Sequence, residues 1–232
     1  MRLRSKPITA RRQGANWELY PNDWIDNRLL IGRPFERTQI EFVKNLILER
    51  EISHFYDCGA NIGLYSVQLG VNCDSLVAIN AFEPVELTHS RLVKNLELNG
   101  LLDKVTAHHY GLGAKDETMR IAVDRTSSGT ATLDKGVQAH SKRNFEHFED
   151  IQLKVFDTIF KDKGQRAFFK MDMEGHELMA ASGMAKFLAN NQCTLQIEAW
   201  NRNADKIIES MRQYGYVPFH KINEDLYLEK AS

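Results

Sequence analysis

The sequence predicts an α/β fold, a doubly wound and mostly parallel sheet with helices on both faces and a reversed strand at its last edge. Three observations predict it. Short apolar runs alternate with segments of helical period along most of the chain. The run Phe55-Tyr56-Asp57-Cys58-Gly59-Ala60-Asn61-Ile62-Gly63-Leu64-Tyr65 passes from strand to helix through two glycines. Two final apolar runs are joined by Asn223-Glu224-Asp225, which reads as a hairpin that closes the sheet antiparallel.

At 232 residues the chain fits one α/β domain with a sizeable core. Residues 1–15 carry Arg2, Arg4, Lys6, Arg11 and Arg12 before the first acid, Glu18, and are expected to be a disordered basic tail. Residues 16–53 form an N-terminal cap with aromatic Trp17, Tyr20 and Trp24, a turn at Gly32 to Pro34, and a helix bearing Ile40, Val43, Leu46 and Ile47 at helical spacing. Residues 54–232 hold the main domain. Strands are predicted near 53–58, 76–82 and 104–110, with helices near 62–70 and 85–99, the second ending at Gly100. A variable insertion, 113–156, follows; Met119–Val123 and Ile151–Phe156 read there as extra strands flanking a polar stretch at 124–150, long enough for an active-site lid or mobile loop. The alternation resumes with a strand at 167–172, a helix near 175–189, a strand near 193–199, a helix near 203–214 and strands near 216–220 and 225–230.

The glycines of the first strand–helix turn let the backbone take positive φ and approach a ligand, and Asn61 tolerates the same conformation. Asp57 argues against a phosphate cradle, because a carboxylate at a helix N-terminus repels an anion. It suits a cationic nucleotide-like ligand, for which S-adenosylmethionine is the obvious choice. A dinucleotide fingerprint requires G-x-G-x-x-G, and reading from Gly59 its later positions fall on Asn61 and Leu64. Glu83 follows Gly63 by twenty residues, the spacing of a carboxylate that accepts ribose hydroxyls at the end of the second strand. Pro84 suits the first position of the next helix.

Together Asp57-Cys-Gly-Ala-Asn-Ile-Gly63, Phe82-Glu83-Pro84 and Lys170-Met-Asp-Met-Glu-Gly-His-Glu177 resemble the FkbM-like family of class I S-adenosylmethionine-dependent methyltransferases. The resemblance covers roughly residues 30–230, and Arg33-Pro34-Phe35-Glu36 resembles the start of that family's cap. It implies a Rossmann-like sheet of order 3-2-1-4-5-7-6, S-adenosylmethionine as cofactor and S-adenosylhomocysteine as product. Carried over by position, it places Asp57 near the methionine ammonium and Gly59, Ala60 and Asn61 along the methionine portion. Glu83 would clamp the ribose, and Gly111 and Leu112 would lie by the adenine. Asp172 and Glu174 would face the reaction centre, and Glu36, Gly63 and Pro84 complete the cofactor-binding set.

Methyl transfer to a hydroxyl needs alignment, exclusion of water and a base. Candidate bases at the carboxyl edge of the sheet are Asp172, Glu174, His176 and Glu198. His176 would open a helix, whose N-terminus disfavours imidazolium; local packing is the competing reading. Asp172 and Glu198 end neighbouring strands and could hold a divalent metal ion, but two carboxylates without a third ligand do not favour one. His140, His147, Lys142 and Arg143 sit in the polar loop, either solvated or part of a lid, and Trp200 could stack on a sugar. His108 and His109 adjoin on a strand and face opposite sides.

The expected activity is O-methylation of a small molecule or of a sugar or glycan hydroxyl. The alternatives are a nucleic-acid or protein methyltransferase of the same fold and a non-catalytic module that keeps the cofactor pocket. A net charge of −1 and the absence of an Asn/Asp-Pro-Pro-Tyr/Phe tetrapeptide make nucleic acid unfavoured. Cys58, Cys73 and Cys193 read as buried reduced thiols. No segment reaches membrane-span length, no secretory signal is visible, and a cytoplasmic location is expected. An antiparallel edge and an aromatic cap are compatible with a homodimer.

Overall fold

The computed structural model describes residues 6–33, 35–123, 131–132, 147–199 and 203–231. The chain opens with β1 (Ile8–Arg12), β2 (Ala15–Leu19), α1 (Trp24–Leu30) and α2 (Arg37–Glu49). It continues through β3 (His54–Cys58), α3 (Leu64–Asn72), β4 (Ala78–Phe82), α4 (Glu86–Leu98) and β5 (Val105–His108). A second sheet then forms from β6 (Gly111–Leu112), β7 (Glu117–Val123), β8 (Ala131–Thr132) and β9 (His147–Lys154), followed by the short helix α5 (Phe156–Ile159). The main sheet resumes with β10 (Arg166–Met171), α6 (Glu177–Gly183), α7 (Ala185–Asn190) and β11 (Gln192–Glu198). It ends with α8 (Ala204–Arg212), β12 (Tyr216–Ile222) and β13 (Asp225–Lys230).

Seven strands form the main sheet in the order β5-β4-β3-β10-β11-β13-β12. Counted by chain order within the sheet, this is the 3-2-1-4-5-7-6 arrangement. β3, β4, β5, β10 and β11 run parallel, and β13 runs antiparallel to β11. β3 and β10 sit centrally and bury residues on both faces, so they read as near-continuous apolar runs. Their register stacks Phe55 on Phe168 and Tyr56 on Phe169, with centroids 5.7 Å and 4.6 Å apart. One core lies between the sheet and α2, α3 and α4. A second lies under α6, α7 and α8, and a smaller third joins Val85 to Ile121 and Val123 of β7 and Ile151 and Leu153 of β9.

The basic tail is a correction. Residues 8–15 were expected to be disordered, yet β1 and β2 pair as an antiparallel hairpin through Gln13 and Gly14, whose φ values are 50° and 82°. The cause is period-two burial: Ala15, Trp17 and Leu19 point inward along β2. Asn95 of α4 and Asn99, its C-cap, then accept hydrogen bonds from the backbone N–H of Glu18 and Asn16, at 2.9 Å and 2.8 Å. Arg91 of α4 pairs with the buried Asp26 of α1 and fixes the cap to the sheet.

Three further differences concern element bounds. β9 begins at His147, four residues before the expected strand. The helix expected over 175–189 is two helices, broken where Gly183 packs so closely on Gly113 that a Cβ would lie 2.1 Å from its carbonyl oxygen. Pro84 does not open α4. Val85 is the N-cap, held by its N–H to Glu83 Oε1 at 3.0 Å, and the helix starts at Glu86. His140, Lys142, Arg143, Trp200 and the side chain of His147 lie outside the described residues. Among the described residues, no helix is long and apolar enough to cross a membrane. The three cysteines are free and buried.

Candidate active site

Parallel strands bring their carboxyl ends to one edge, and the reversal of strand order between β3 and β10 opens a crevice there. Asp57 near the end of β3, Lys170 and Asp172 at the end of β10, and Glu198 at the end of β11 share that edge. The antiparallel β13 presents its first residue, Asp225, opposite Glu198. Glu36, the N-cap of α2, reaches the same cluster, since Lys170, Asp172, Asp225 and Asp57 all act on its carboxyl.

Lys170 is the cation at the centre. Its side chain is 8% exposed, and Nζ donates to Gly59 O and to Asp172 Oδ2, each at 3.1 Å. In the sheet it lies between Asp57 on one side and Gln196 on the other. Gln196 Nε2 donates to the hydroxyl of Tyr65 at 2.8 Å, and Gln39 of α2 donates to Asp225 at 3.3 Å. One ammonium thus faces several carboxyl groups. Burial raises Glu36 to about 8 despite Lys170. Burial, with Asp172 and Glu174 beside it, raises Glu198 to about 9. Glu198 therefore carries a proton at neutral pH and shares it in a hydrogen bond with Asp172.

The residues carried over from the sequence divide into those the geometry aims at this crevice and those it uses elsewhere. Asp57 is 1% exposed. Its Oδ2 accepts from the N–H and hydroxyl of Ser66 at 3.1 Å and 2.6 Å, while Oδ1 has no hydrogen-bond partner. Gly59 takes φ 81°, and a Cβ there would lie 1.9 Å from Asp172 O, so the glycine lets the β3 loop meet the end of β10. Ala60 is buried beside it, and Asn61 holds φ 51°. Gly63 is the left-handed N-cap of α3 and packs on Leu92.

Glu83 is more committed than expected. Oε1 accepts from Val85 N–H and the Thr88 hydroxyl, and Oε2 from Asn61 N–H at 2.8 Å. This leaves about one acceptor position of a carboxylate's four. Gly111 and Leu112 pair with Leu153 and Lys154 in the second sheet, and Leu112 points into the core. A Cβ on Gly111 would lie 3.5 Å from Pro84.

His176 is not brought into the acid cluster. It is the N-cap of α6, sits beside Gly113 and faces Glu117. Its pKa is lowered, as expected, but burial is the cause, opposed by Glu117. Glu174, exposed and with φ 53°, lies close enough to raise Glu198. Sequence reasoning missed Lys170 and Glu177. Glu177 Oε1 accepts from Met173 and Gly175 N–H at 2.9 Å and 3.0 Å and so shapes the loop that carries Glu174. The available signal for Lys170 was a lysine inside an otherwise apolar strand. Among the described residues no group of three or more His, Cys, Asp or Glu could hold a metal ion.

This sheet, with an acid-lined crevice at its switch point, is that of a class I S-adenosylmethionine-dependent methyltransferase. The model of the methyltransferase FkbM domain matches residues 57–218, and the chain belongs to that family. Among solved structures it is similar to an FkbM methyltransferase from Methylobacillus flagellatus KT, at 21% identity and TM-score 0.53. That match covers 77% of this chain and 44% of the other, so the chain spans less than half of that protein's length. A candidate tRNA (m1A22) methyltransferase from Streptococcus pneumoniae aligns at 17% identity and TM-score 0.49, covering 83% of this chain and 69% of the other. A candidate caffeoyl-CoA O-methyltransferase from Staphylococcus aureus aligns at 12% identity and TM-score 0.48, covering 85% of each chain. Among curated proteins no sequence matches.

The residues present fit S-adenosylmethionine. The buried Asp57 Oδ1 lacks a donor that an ammonium supplies, and the cluster of carboxyls around one lysine is short of positive charge. Gly59 to Asn61 offer backbone, and Glu83 Oε2 keeps room for a hydroxyl.

Proposed function

We propose that the chain methylates a hydroxyl of a small molecule or of a sugar or glycan. Asp57 and the backbone of Gly59, Ala60 and Asn61 would hold the methionine portion of S-adenosylmethionine, and Glu83 its ribose. Bound there, the cofactor supplies a methyl group on a sulfonium, already activated for displacement. The chain's own work is to orient the acceptor oxygen, exclude water and take up its proton.

The observation that carries the reading is the Asp172–Glu198 pair. It holds one proton between two carboxyl groups, so the ionised member can accept the proton that a hydroxyl loses as its new bond forms. Lys170 donates to Asp172 Oδ2 at 3.1 Å and fixes it at the end of the strand. A carboxylate acceptor needs no base and would be repelled by the cluster; a neutral hydroxyl meets both conditions.

The test is S-adenosylhomocysteine formation with a panel of polyols, sugars and phenols beside RNA oligonucleotides and peptides. Turnover on a hydroxyl acceptor, falling by about 10²-fold or more in Asp172→Asn, is expected of a general base. Turnover on RNA or peptide alone, or activity indifferent to Asp172→Asn, would overturn the proposal.

A further inference from the structure

We propose a second ligand site on the far side of α2: a cationic groove between the N-terminal hairpin and helices α2 and α3 that takes a soluble phosphate-bearing molecule. The groove has a volume of about 410 Å³, within the range of small-molecule sites. Arg12 at the end of β1, Arg33 after α1, Arg37 in the first turn of α2 and Lys44 further along that helix line it. Gln68 of α3 lines the opposite wall.

The charges do not cancel. Four cations meet one carboxylate in the groove, Glu41, which pairs with Lys44 at 3.1 Å. Arg12 donates to Leu30 O at 3.2 Å and 3.1 Å and to Arg11 O at 2.8 Å, bonds that position its guanidinium without neutralising it. Arg33 and Arg37 are exposed, and no carboxylate of a described residue pairs with either. Convergent guanidinium groups recognise phosphate by paired, charge-assisted hydrogen bonds.

An independent observation comes from Gln68. It is 4% exposed, and its Nε2 has no hydrogen-bond partner. Gln68 lines the groove with this donor unmet, and a phosphate oxygen that draws the amide round would supply its acceptor. The volume is that of one small ligand rather than of a strand track, and a chain of net charge −1 offers no wide basic face, so a phosphate ester fits better than a nucleic acid. The two sites also select opposite ligands. The acid-lined crevice favours a cation, and this groove an anion.

The experiment is calorimetric titration of the full chain with sodium pyrophosphate, alongside adenosine diphosphate, a single-stranded RNA oligonucleotide and vesicles containing a phosphoinositide. Saturable pyrophosphate binding is expected, weakened about tenfold or more by Arg33→Ala/Arg37→Ala and by raised salt. Glu41→Gln should tighten it, a gain that no misfolded variant can imitate. The shift in unfolding temperature caused by S-adenosylhomocysteine should stay unchanged in the arginine double variant. Absence of saturable pyrophosphate binding, retention of it in that variant, or preferential capture of RNA or vesicles would overturn the proposal.

Discussion

Replacing Lys170 by methionine removes the one ammonium from the centre of the carboxyl cluster. Its Nζ makes hydrogen bonds to Gly59 O and Asp172 Oδ2, both 3.1 Å and both partly buried, with the lysine side chain 8% exposed and that of Asp172 31%. Breaking a buried ion pair from one side costs about 3–5 kcal/mol, because the partner charge stays buried and uncompensated. Here Asp57, Asp172 and Glu36 all lose the same cation. Lys170→Met should therefore lose about 3–5 kcal/mol of stability at pH 8 by urea unfolding. The penalty should shrink as the pH falls below 8, where Glu36, raised to about 8 by burial, takes up a proton and no longer needs the cation. In a cycle with Asp57→Asn, the double variant should lose less than the sum of the single losses. A loss under about 1 kcal/mol at pH 8, or a penalty that grows as the pH falls, would refute the reasoning.

Two other predictions rest on the same edge. Glu36 and Glu198 are raised to about 8 and about 9, so the folded state binds more protons than the unfolded state between their ordinary range and those values. The stability they contribute is complete below the ordinary carboxylate range and is lost as pH rises through 8 and 9. Thermal midpoints without ligand should fall from pH 6 to pH 9, less steeply in Glu36→Gln; midpoints that rise over this window would contradict the assignment. Gly59→Ala places a Cβ 1.9 Å from Asp172 O at φ 81° and should destabilise by about 3 kcal/mol or more, measured by urea unfolding. A neutral effect would mean that the β3 loop and the end of β10 do not meet as described.

Much of this arrangement was legible beforehand, for identifiable reasons. The turn from Asp57 to Gly63 announces itself because left-handed backbone and close approach demand particular residues at particular spacing. The sheet was legible because its central strands are apolar on both faces and its last hairpin turns at Asn223, where φ is 52°. The hairpin at 8–19 was not. Its arginines dominate the composition, and its anchors, Asn95 and Asn99, lie some eighty residues away on α4 and at its C-cap. The second sheet was legible in its strands near 119–123 and 151–156, but Gly111–Leu112 is too short to show a period. Lys170 acquires its meaning only from register, which sets it between Asp57 and Gln196. Glu83 illustrates the converse: its position is as expected, but three protein donors, which no spacing reveals, already engage it.

The central claim is that the crevice at Asp57 binds S-adenosylmethionine, and thermal unfolding with S-adenosylhomocysteine tests it most directly. At about 100 times its dissociation constant a native-state ligand adds about 2.7 kcal/mol. For a chain of this size that raises the midpoint by about 5–10 °C. In Asp57→Ala the loss of a charged hydrogen bond should weaken binding about 10- to 100-fold, and the shift at the same ligand concentration should largely vanish. A wild-type midpoint that ignores S-adenosylhomocysteine, or a shift of equal size in Asp57→Ala, would contradict the account.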